Sequence, residues 1–474
     1  MRSPPCTSDR FLVNSSPAME QIYEHRPNSK DIYYPAAAAV QPRRQGAVMA
    51  EAKLVVEHRE QLWSLLIEAA QFEHMIMCQY LYACFSLKTE PDEGLTAEQA
   101  DAVARWRETV TGIAIEEMLH LALVMNVMTA IGAAPSLSRP NFPRHSEFLP
   151  PGVEFALLPF GGDSLLHFLY LEQPEGMERV DAADFVPAAP PPDPVAGAEV
   201  MPRPQGFLTA GHLYRGIEQG LDDLASRLGE SVLFVGEPRA QATPDRFRWP
   251  QLIAVTDLVS ARAAIDEIIE QGEGARGDWQ PAHYGRFFGI WNEYQKLREQ
   301  DPSFEPARPV IPAFTQQPFD IDQPQPQPTE PVTREVAELF NLGYEVLLQV
   351  LTRFFTHTDE SDEQLAVLVH AAFGIMGGVL KPLGNALTRL PVGADNPGCT
   401  AGPAFQMFYQ MGNFVPWREA AWVLLSERVA VLSRQCAGCA AGAGVPGAVS
   451  AAAAAAARIA EQLAGHVPHD LRPA

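Results

Sequence analysis

Apolar residues recur every three to four positions through most of the chain, a spacing that predicts long helices. In residues 52–88, Glu73 falls inside the apolar face of the first helix, about 40° from its centre, whereas Glu68 points away and is expected in solvent. The first helix is thus predicted to bury a single carboxylate. The apolar positions on its face are Leu62, Leu65, Leu66, Ala69, Phe72, Ile76 and Tyr80.

A second helix is predicted over residues 96–132, and its apolar stripe contains Glu117, with His120 at the edge. A Glu and a His three residues apart point to the same side of a helix. Burying a carboxylate costs free energy unless the group is paired or bound to a cation. The pair therefore predicts a metal-ligand motif, with an internal hydrogen-bonded pair in a helical core as the alternative.

The third predicted helix, residues 257–271, ends in the sequence Gln271-Gly-Glu-Gly274. Two glycines around Glu273 suggest a backbone bend that aims its carboxylate inward, although a solvated acid at a helix end is an equal alternative. Glu270 lies about 150° from the centre of the apolar stripe and is the second candidate from this helix.

His283 begins the fourth predicted helix, residues 283–297, at the head of its apolar face. A histidine in this position is usually a core or capping residue, so its candidacy as a ligand depends on the other three helices. Gln280 stands where a second Glu-x-x-His unit would need an acid. The two metal positions are therefore predicted to be unequal.

Ligands from four helices of a bundle can meet at its centre, as in carboxylate-bridged dimetal proteins. Carboxylates and imidazoles suit iron or manganese, and two divalent ions would offset the repulsion between the acids. A single iron held by two histidines and one carboxylate would need fewer ligands, and zinc is disfavoured because no cysteine joins the set. The predicted metal ligands are Glu73, Glu117, His120, Glu273 or Glu270, and His283, with Glu73, Glu117 and His120 as the catalytic core.

The remaining sequence divides the chain into segments of different composition. An insertion rich in Pro and Gly predicts one or two short strands, at the apolar runs 155–160 and 165–172. A stretch with nine prolines predicts an extended linker or a wrapped arm. The predicted organisation is a disordered extension at 1–50, a metal-binding bundle at 51–298 with the insertion at 133–205, the linker at 299–331, a second helical block at 332–433 and an Ala/Gly-rich tail at 434–474.

The charge balance is strongly acidic, with 58 Asp and Glu against 35 Lys and Arg and a net charge of −23. This balance argues against nucleic acid or an anionic membrane as a partner. No uninterrupted apolar stretch has the length of a membrane span, and the six cysteines do not form a disulfide framework. We therefore expect a cytoplasmic protein that acts on a small molecule, and a homo-oligomer is compatible with this expectation.

Seven short motifs lie at 72–80, 116–120, 270–274, 283–287, 339–341, 378–384 and 400–403. Together they resemble the ferritin-like domain of the iminophenylpyruvate dimer synthase (chromopyrrolate synthase-like) family. The resemblance covers about residues 53–433 and implies a ferritin-like bundle in bacterial secondary metabolism. Its best-known members couple two amino-acid-derived imines oxidatively and are considerably longer, and some are linked with haem, which leaves haem open as a cofactor.

The sequence as a whole predicts a mainly α protein, a ferritin-like four-helix bundle with an irregular insertion and a second helical block. Its predicted function is that of a non-haem iron oxidoreductase, with di-iron favoured over manganese or a single iron. The enzyme would use dioxygen or peroxide on a small, amino-acid-derived substrate. A non-catalytic iron-binding or storage module and a metal-free interaction protein are the alternatives.

Overall fold

The computed structural model describes residues 53–90, 92–145, 154–174, 206–207, 209–272, 278–315, 327–408 and 415–471. The disordered extension predicted at 1–50 lies outside these residues. The described chain is mainly α-helical, as predicted, and its strands are β1 (Arg144–His145) and β2 (Glu154–Phe155), which pair antiparallel. The helices are α1 (Arg59–Ser86), α2 (Ala97–Ala130), α3 (Gly162–Leu171), α4 (Ala210–Leu228), α5 (Glu230–Leu233), α6 (Pro244–Phe247), α7 (Leu258–Gly272), α8 (His283–Gln300), α9 (Pro331–Phe355), α10 (Asp362–Ile375), α11 (Lys381–Leu387), α12 (Arg418–Ala440) and α13 (Gly447–Gly465).

Helices α1, α2, α7 and α4 pack in a closed ring, and α8 packs outside it against α2 and α3. The ring differs from the predicted set of four helices, because α4 takes the place expected for α8. Residues Leu54 and Val56 press against Gly216 and Gly220 of α4, where an added Cβ would lie less than 3 Å from their side chains. The glycine face of α4 therefore lets the chain before α1 cross the bundle at close range.

Local signals fix both ends of α2. Thr96 caps the first turn by accepting the Gln99 N–H at 3.3 Å, and the Gln99 side chain accepts the Thr96 N–H at 2.9 Å. This reciprocal pair satisfies two backbone donors that a helix start leaves free. At the other end Gly132 has a φ of +78°, which favours glycine and supports the predicted stop there.

The Glu68 side chain of α1, which was expected in solvent, is buried. The side chain is 8% exposed rather than solvated, and its Oε2 has no hydrogen-bond partner among the described residues. Helix α1 is buried on nearly all sides from this point onward. Phe85 of α1 packs edge-on against Phe340 of α9 at 6.5 Å between ring centroids.

The insertion contains a helix where a short strand was predicted. Residues 165–171 belong to α3, and the spacing of Leu165, Phe168 and Leu171 buries one helical face. Glu172 is the residue that ends this helix. The apolar run is too short to distinguish strand from helix by its periodicity alone.

The proline-rich segment is a wrapped arm in its described part. It forms isolated bridges that join Leu87 to Ala307 and Leu157 to Ala313. The second block follows as α9 to α12, and the Ala-rich tail forms α13, which packs along α12. One continuous hydrophobic core runs through the bundle and the second block.

Two helical stretches, 97–130 and 362–387, are long and apolar enough by composition to cross a membrane. In α2 the most apolar window is 72% buried inside the protein. A buried core helix can have the same length and apolar composition as a membrane-spanning helix.

Candidate metal centre

Glu117 lies at the centre of a buried cluster and contacts two histidines. Its Oε2 is 2.8 Å from Nδ1 of His120 on the same helix. Its Oε1 is 2.8 Å from Nδ1 of His283, the first residue of α8. The two imidazole rings lie nearly parallel, with centroids 5.4 Å apart. One carboxylate therefore links two imidazoles from different helices.

Each histidine belongs to a separate group of three potential ligands, and Glu117 is common to both. The first group is Glu73, Glu117 and His120, with 3.5 Å between His120 Nδ1 and Glu73 Oε2. The second group is Glu117, Glu172 and His283, with 3.6 Å between His283 Nδ1 and Glu172 Oε2. All five side chains are buried. The arrangement offers each of two ions one terminal carboxylate, one imidazole and a share of Glu117.

The outer nitrogens of both imidazoles are held by acceptors. Nε2 of His283 lies 2.9 Å from Oε2 of Glu116. Nε2 of His120 lies 3.1 Å from Oε1 of Gln271, an amide whose nitrogen donates to Glu267. A carboxylate or amide oxygen only accepts, so each Nε2 carries a proton, and an ion that displaced the Nδ1 proton would meet the Nδ1 lone pair facing the cluster.

Two tyrosines and one arginine hold the carboxylates from outside. Tyr214 of α4 donates to Glu73, and Tyr80 of α1 donates to Glu172. Arg286, one turn after His283, donates to both oxygens of Glu116. Hydrogen bonds of this kind orient metal ligands in proteins. Each terminal carboxylate thus has a phenol donor, and the acceptor of His283 has a guanidinium.

The pKa values show that the cluster demands positive charge. Burial alone would raise the pKa of Glu117, but His283 and His120 together hold it well below its usual range. Burial and the nearby Glu117 raise the pKa of Glu73 to about 8. Burial would lower the pKa of His120, yet Glu117 raises it to about 10. Protons supply that charge here, and cations of higher charge can take their place.

Three polar atoms in this cluster make no hydrogen bond within the described residues, namely Glu73 Oε2, Glu117 Oε1 and His283 Nδ1. Glu117 Oε1 and His283 Nδ1 lie 2.8 Å apart without hydrogen-bond direction. Buried polar atoms normally have partners, and orphans at one place indicate an additional ligand or ion. The donor set of carboxylates and imidazoles fits iron or manganese.

The cavity at the cluster has a volume of about 20 Å³, enough for a water-sized occupant. Apolar side chains form much of its wall, among them Phe72, Ile76, Leu171, Ile268 and Ile269. This space admits small ions beside carboxylates that are themselves buried.

The structure brings together four of the six predicted ligands and separates a fifth. Glu73, Glu117, His120 and His283 meet in the cluster. Glu270 is exposed and lies outside both groups, as its angular position on α7 had implied, while Glu273 falls outside the described residues. Helix α7 contributes Gln271 instead, which contacts His120.

Glu172 is the cluster residue that sequence reasoning missed. Its one signal was its position as the acid that ends the apolar run 165–172. Helix α3 packs against α8, so Glu172 supplies the carboxylate beside His283. In a second Glu-x-x-His unit this carboxylate would have come from position 280, where the chain has Gln280. The second group is therefore assembled from the insertion rather than from α7.

Comparison with known proteins supports this fold. The ferritin-like family model matches residues 66–292. Dichlorochromopyrrolate synthase of Lentzea aerocolonigenes is 29% identical over 420 residues, covering 81% of this chain and 39% of that protein. The 2-imino-3-(indol-3-yl)propanoate dimerase of Chromobacterium violaceum is 28% identical over 365 residues, covering 73% of this chain and 34% of that protein. The chain thus spans well under half the length of these relatives.

Among solved structures, a ferritin-like protein from Caulobacter vibrioides matches with a TM-score of 0.44 and 17% identity, over 68% of this chain and 95% of that one. The two longer relatives fit the chromopyrrolate synthase-like family. The family resemblance that the sequence motifs indicated is thereby confirmed.

Proposed function

We propose that the protein is a cytoplasmic, iron-dependent oxidoreductase with two metal positions, because residues 66–292 match the ferritin-like family model and two relatives fit the chromopyrrolate synthase-like family. The observation that carries the proposal is the sharing of Glu117 between the two ligand groups. Dimetal bundles of the ferritin-like type place inward-facing Glu and His side chains of this kind around two ions.

The donor set favours iron, with manganese as the next choice. Glu73, Glu117 and Glu172 offer hard oxygen atoms, and His120 and His283 offer imidazole nitrogen. Among the described residues no cysteine joins these groups, which argues against a structural zinc site. A cavity of about 20 Å³ is far too small for a porphyrin, so haem is not proposed at this cluster.

The protein's own residues would hold the ions and control protons. Glu117 would bridge, while Glu73 with His120 and Glu172 with His283 would complete the two ends. Tyr214 and Tyr80 keep a proton on the phenol oxygen beside a terminal carboxylate. Reduced iron bound here would supply electrons to dioxygen or peroxide, and the apolar wall would keep that chemistry away from bulk water.

The substrate class is proposed from the relatives. One is named for the dimerisation of 2-imino-3-(indol-3-yl)propanoate, an imine derived from an amino acid. We propose a small 2-imino acid for this chain, with coupling of two molecules as the reaction. Joining two C–H carbons by one C–C bond releases two protons and two electrons, which one dioxygen accepts to give hydrogen peroxide or one peroxide accepts to give two waters.

Metal content gives the decisive experiment. Wild-type protein loaded anaerobically with ferrous iron should retain about two ions per chain, as a dimetal bundle does. Glu117→Ala should lose most of this iron because both groups need its carboxylate. Glu270→Ala is the matched control and should bind like the wild type, since Glu270 is exposed on α7.

Dioxygen uptake tests the reaction itself. Iron-loaded protein with indole-3-pyruvate and ammonium, which form the imine in solution, should consume dioxygen faster than the same mixture with Glu117→Ala. Two results together would refute the proposal. The wild-type protein would retain no iron or manganese, and its dioxygen uptake would equal that of Glu117→Ala. Aerobic uptake of many irons per chain would identify a storage module instead.

A further inference from the structure

Three arginine side chains are buried in the part of the chain that the structure describes, and one of them lacks an acidic partner. Arg139, Arg308 and Arg353 are 4%, 6% and 4% exposed. Arg308 pairs with Glu93 through two contacts of 2.5 and 3.0 Å. Arg353 contacts Glu360 at 2.5 Å. In the described residues no carboxylate reaches Arg139.

Arg139 is held by neutral acceptors only. Its Nη1 donates to the Pro140 carbonyl at 2.8 Å, and its Nη2 donates to the Phe405 carbonyl at 2.5 Å and to the Tyr344 hydroxyl at 3.2 Å. The guanidinium carbon lies 4.5 Å from the ring centroid of Phe142. Its Nε is buried and makes no hydrogen bond to any described residue.

The side chains around Arg139 do not supply the missing negative charge. Burial and the nearby Arg139 lower the pKa of His74 well below its usual value, so the ring is neutral, and its Nε2 forms a hydrogen bond with the Tyr344 hydroxyl. Burial raises the pKa of Tyr344 well above its usual value and also raises that of Cys78, whose sulfur is 3.4 Å from the Tyr344 oxygen. Phenol and thiol therefore keep their protons.

A buried cation without a counter-charge is strongly unfavourable, which is why buried arginines are usually paired. Arg308 and Arg353 follow this rule and Arg139 departs from it. We propose that Arg139 binds the carboxylate of a small organic acid through its free Nε–H, at a site between α1 and α9 that is separate from the metal centre. Guanidinium is the side chain best suited to carboxylate recognition.

The surroundings favour an organic monoanion over phosphate. One guanidinium matches a single negative charge. The ring centroids of Phe142 and Tyr344 lie 4.5 and 5.6 Å from the guanidinium carbon, and the Phe405 ring packs edge to face on Tyr344 at 5.3 Å. The 2-oxo and 2-imino acids of the proposed function belong to this ligand class, and only that identification rests on the proposed function.

Calorimetric titration at constant ionic strength tests the site, with indole-3-propionate as a carboxylate probe that has no imine to react. The wild type should bind it saturably, and 3-methylindole, which lacks the carboxylate, should bind at least tenfold more weakly. Arg139→Gln should weaken binding of indole-3-propionate at least tenfold, and Arg139→Lys should restore part of it. Arg308→Gln, which removes a paired buried arginine, is the control and should bind like the wild type.

Equal binding by wild type, Arg139→Gln and Arg308→Gln would overturn the site, as would equal affinity for the two probes in the wild type alone. Absorbance of tyrosinate at neutral pH that disappears in Tyr344→Phe would also overturn it, because the protein would then supply its own counter-charge. Metal content measured on the same samples separates this test from the proposed function. Arg139→Gln should retain the wild-type metal content whether or not the carboxylate site exists.

Discussion

Glu116 accepts a hydrogen bond of 2.9 Å from Nε2 of His283, while its neighbour Glu117 faces the other nitrogen of the same ring. Glu116 is ionised, because His283 and Arg286 overcome the effect of burial and lower its pKa to about 2. The pair thus fixes which nitrogen of His283 points into the cluster. Consecutive residues of α2 act on opposite sides of one imidazole.

Glu116→Gln should therefore weaken metal binding without removing a ligand. Loss of an outer hydrogen-bond partner typically costs 10- to 100-fold in metal affinity, and we expect about tenfold here. Competition with a chelator of known affinity measures the effect with Mn²⁺. Glu270→Gln, an exposed change on α7, should leave the affinity unchanged, and a similar loss in both variants would argue against a specific role for Glu116.

Glu172→Ala should remove one of the two metal positions. Glu172 belongs only to the second group, so Glu73, Glu117 and His120 remain intact. We expect about half of the wild-type iron per chain, since one of two positions is lost. Metal analysis after gel filtration measures the ratio. Full wild-type content in Glu172→Ala would show that this residue is not a ligand.

Metal affinity should rise with pH across the neutral range. In the metal-free cluster the pKa of His120 is raised to about 10 by Glu117, so its imidazole holds a proton at pH 7 that an ion must displace. Binding of Mn²⁺ should release at least one proton. Calorimetry in two buffers of different ionisation enthalpy counts the protons, and identical apparent enthalpies in both buffers would contradict displacement.

Glu68 should make the fold less stable as pH rises. Burial raises its pKa from 4.5 to about 8, so the folded state favours the protonated acid. Its contribution to stability is complete below pH 4.5 and is lost as pH rises towards 8, with an upper limit of about 5 kcal/mol in the free energy of unfolding.

Glu68→Gln should remove this dependence and raise the Tm relative to the wild type at pH 8.5, with a smaller difference at pH 5.5. Thermal unfolding followed by circular dichroism measures both values. Glu60→Gln, an exposed substitution on the same helix, is the control. The same change in Tm at both pH values would refute a buried, protonated Glu68.

The sequence predicts the direction of a side chain where that direction depends only on the helix that carries the residue. Glu73, Glu117 and His120 could be located because periodicity fixes the angle of each residue around a long helix. Their burial follows from the apolar residues on the same face.

Tertiary packing decided the rest. Glu172 reaches the cluster only because α3 packs on α8, a contact between segments separated by more than a hundred residues. Glu68 is 8% exposed although its angle on α1 points away from the apolar face, so its burial comes from packing that the helix's own periodicity does not describe. Periodicity gave the angle of Glu270 on α7. It does not give the path of the chain through the insertion, and that path decides whether α7 or the insertion supplies the ligand.

The two ligand groups also differ in how much of the chain each one needs. Glu73, Glu117 and His120 lie on two helices that follow one another directly, so a chain emerging from the ribosome has the whole first group soon after residue 120 is made. The second group has to wait for His283, after the insertion and α4 to α7 have been synthesised. In the proposed dimetal site, a shared Glu117 would let an ion occupy the first position while the second is still being assembled.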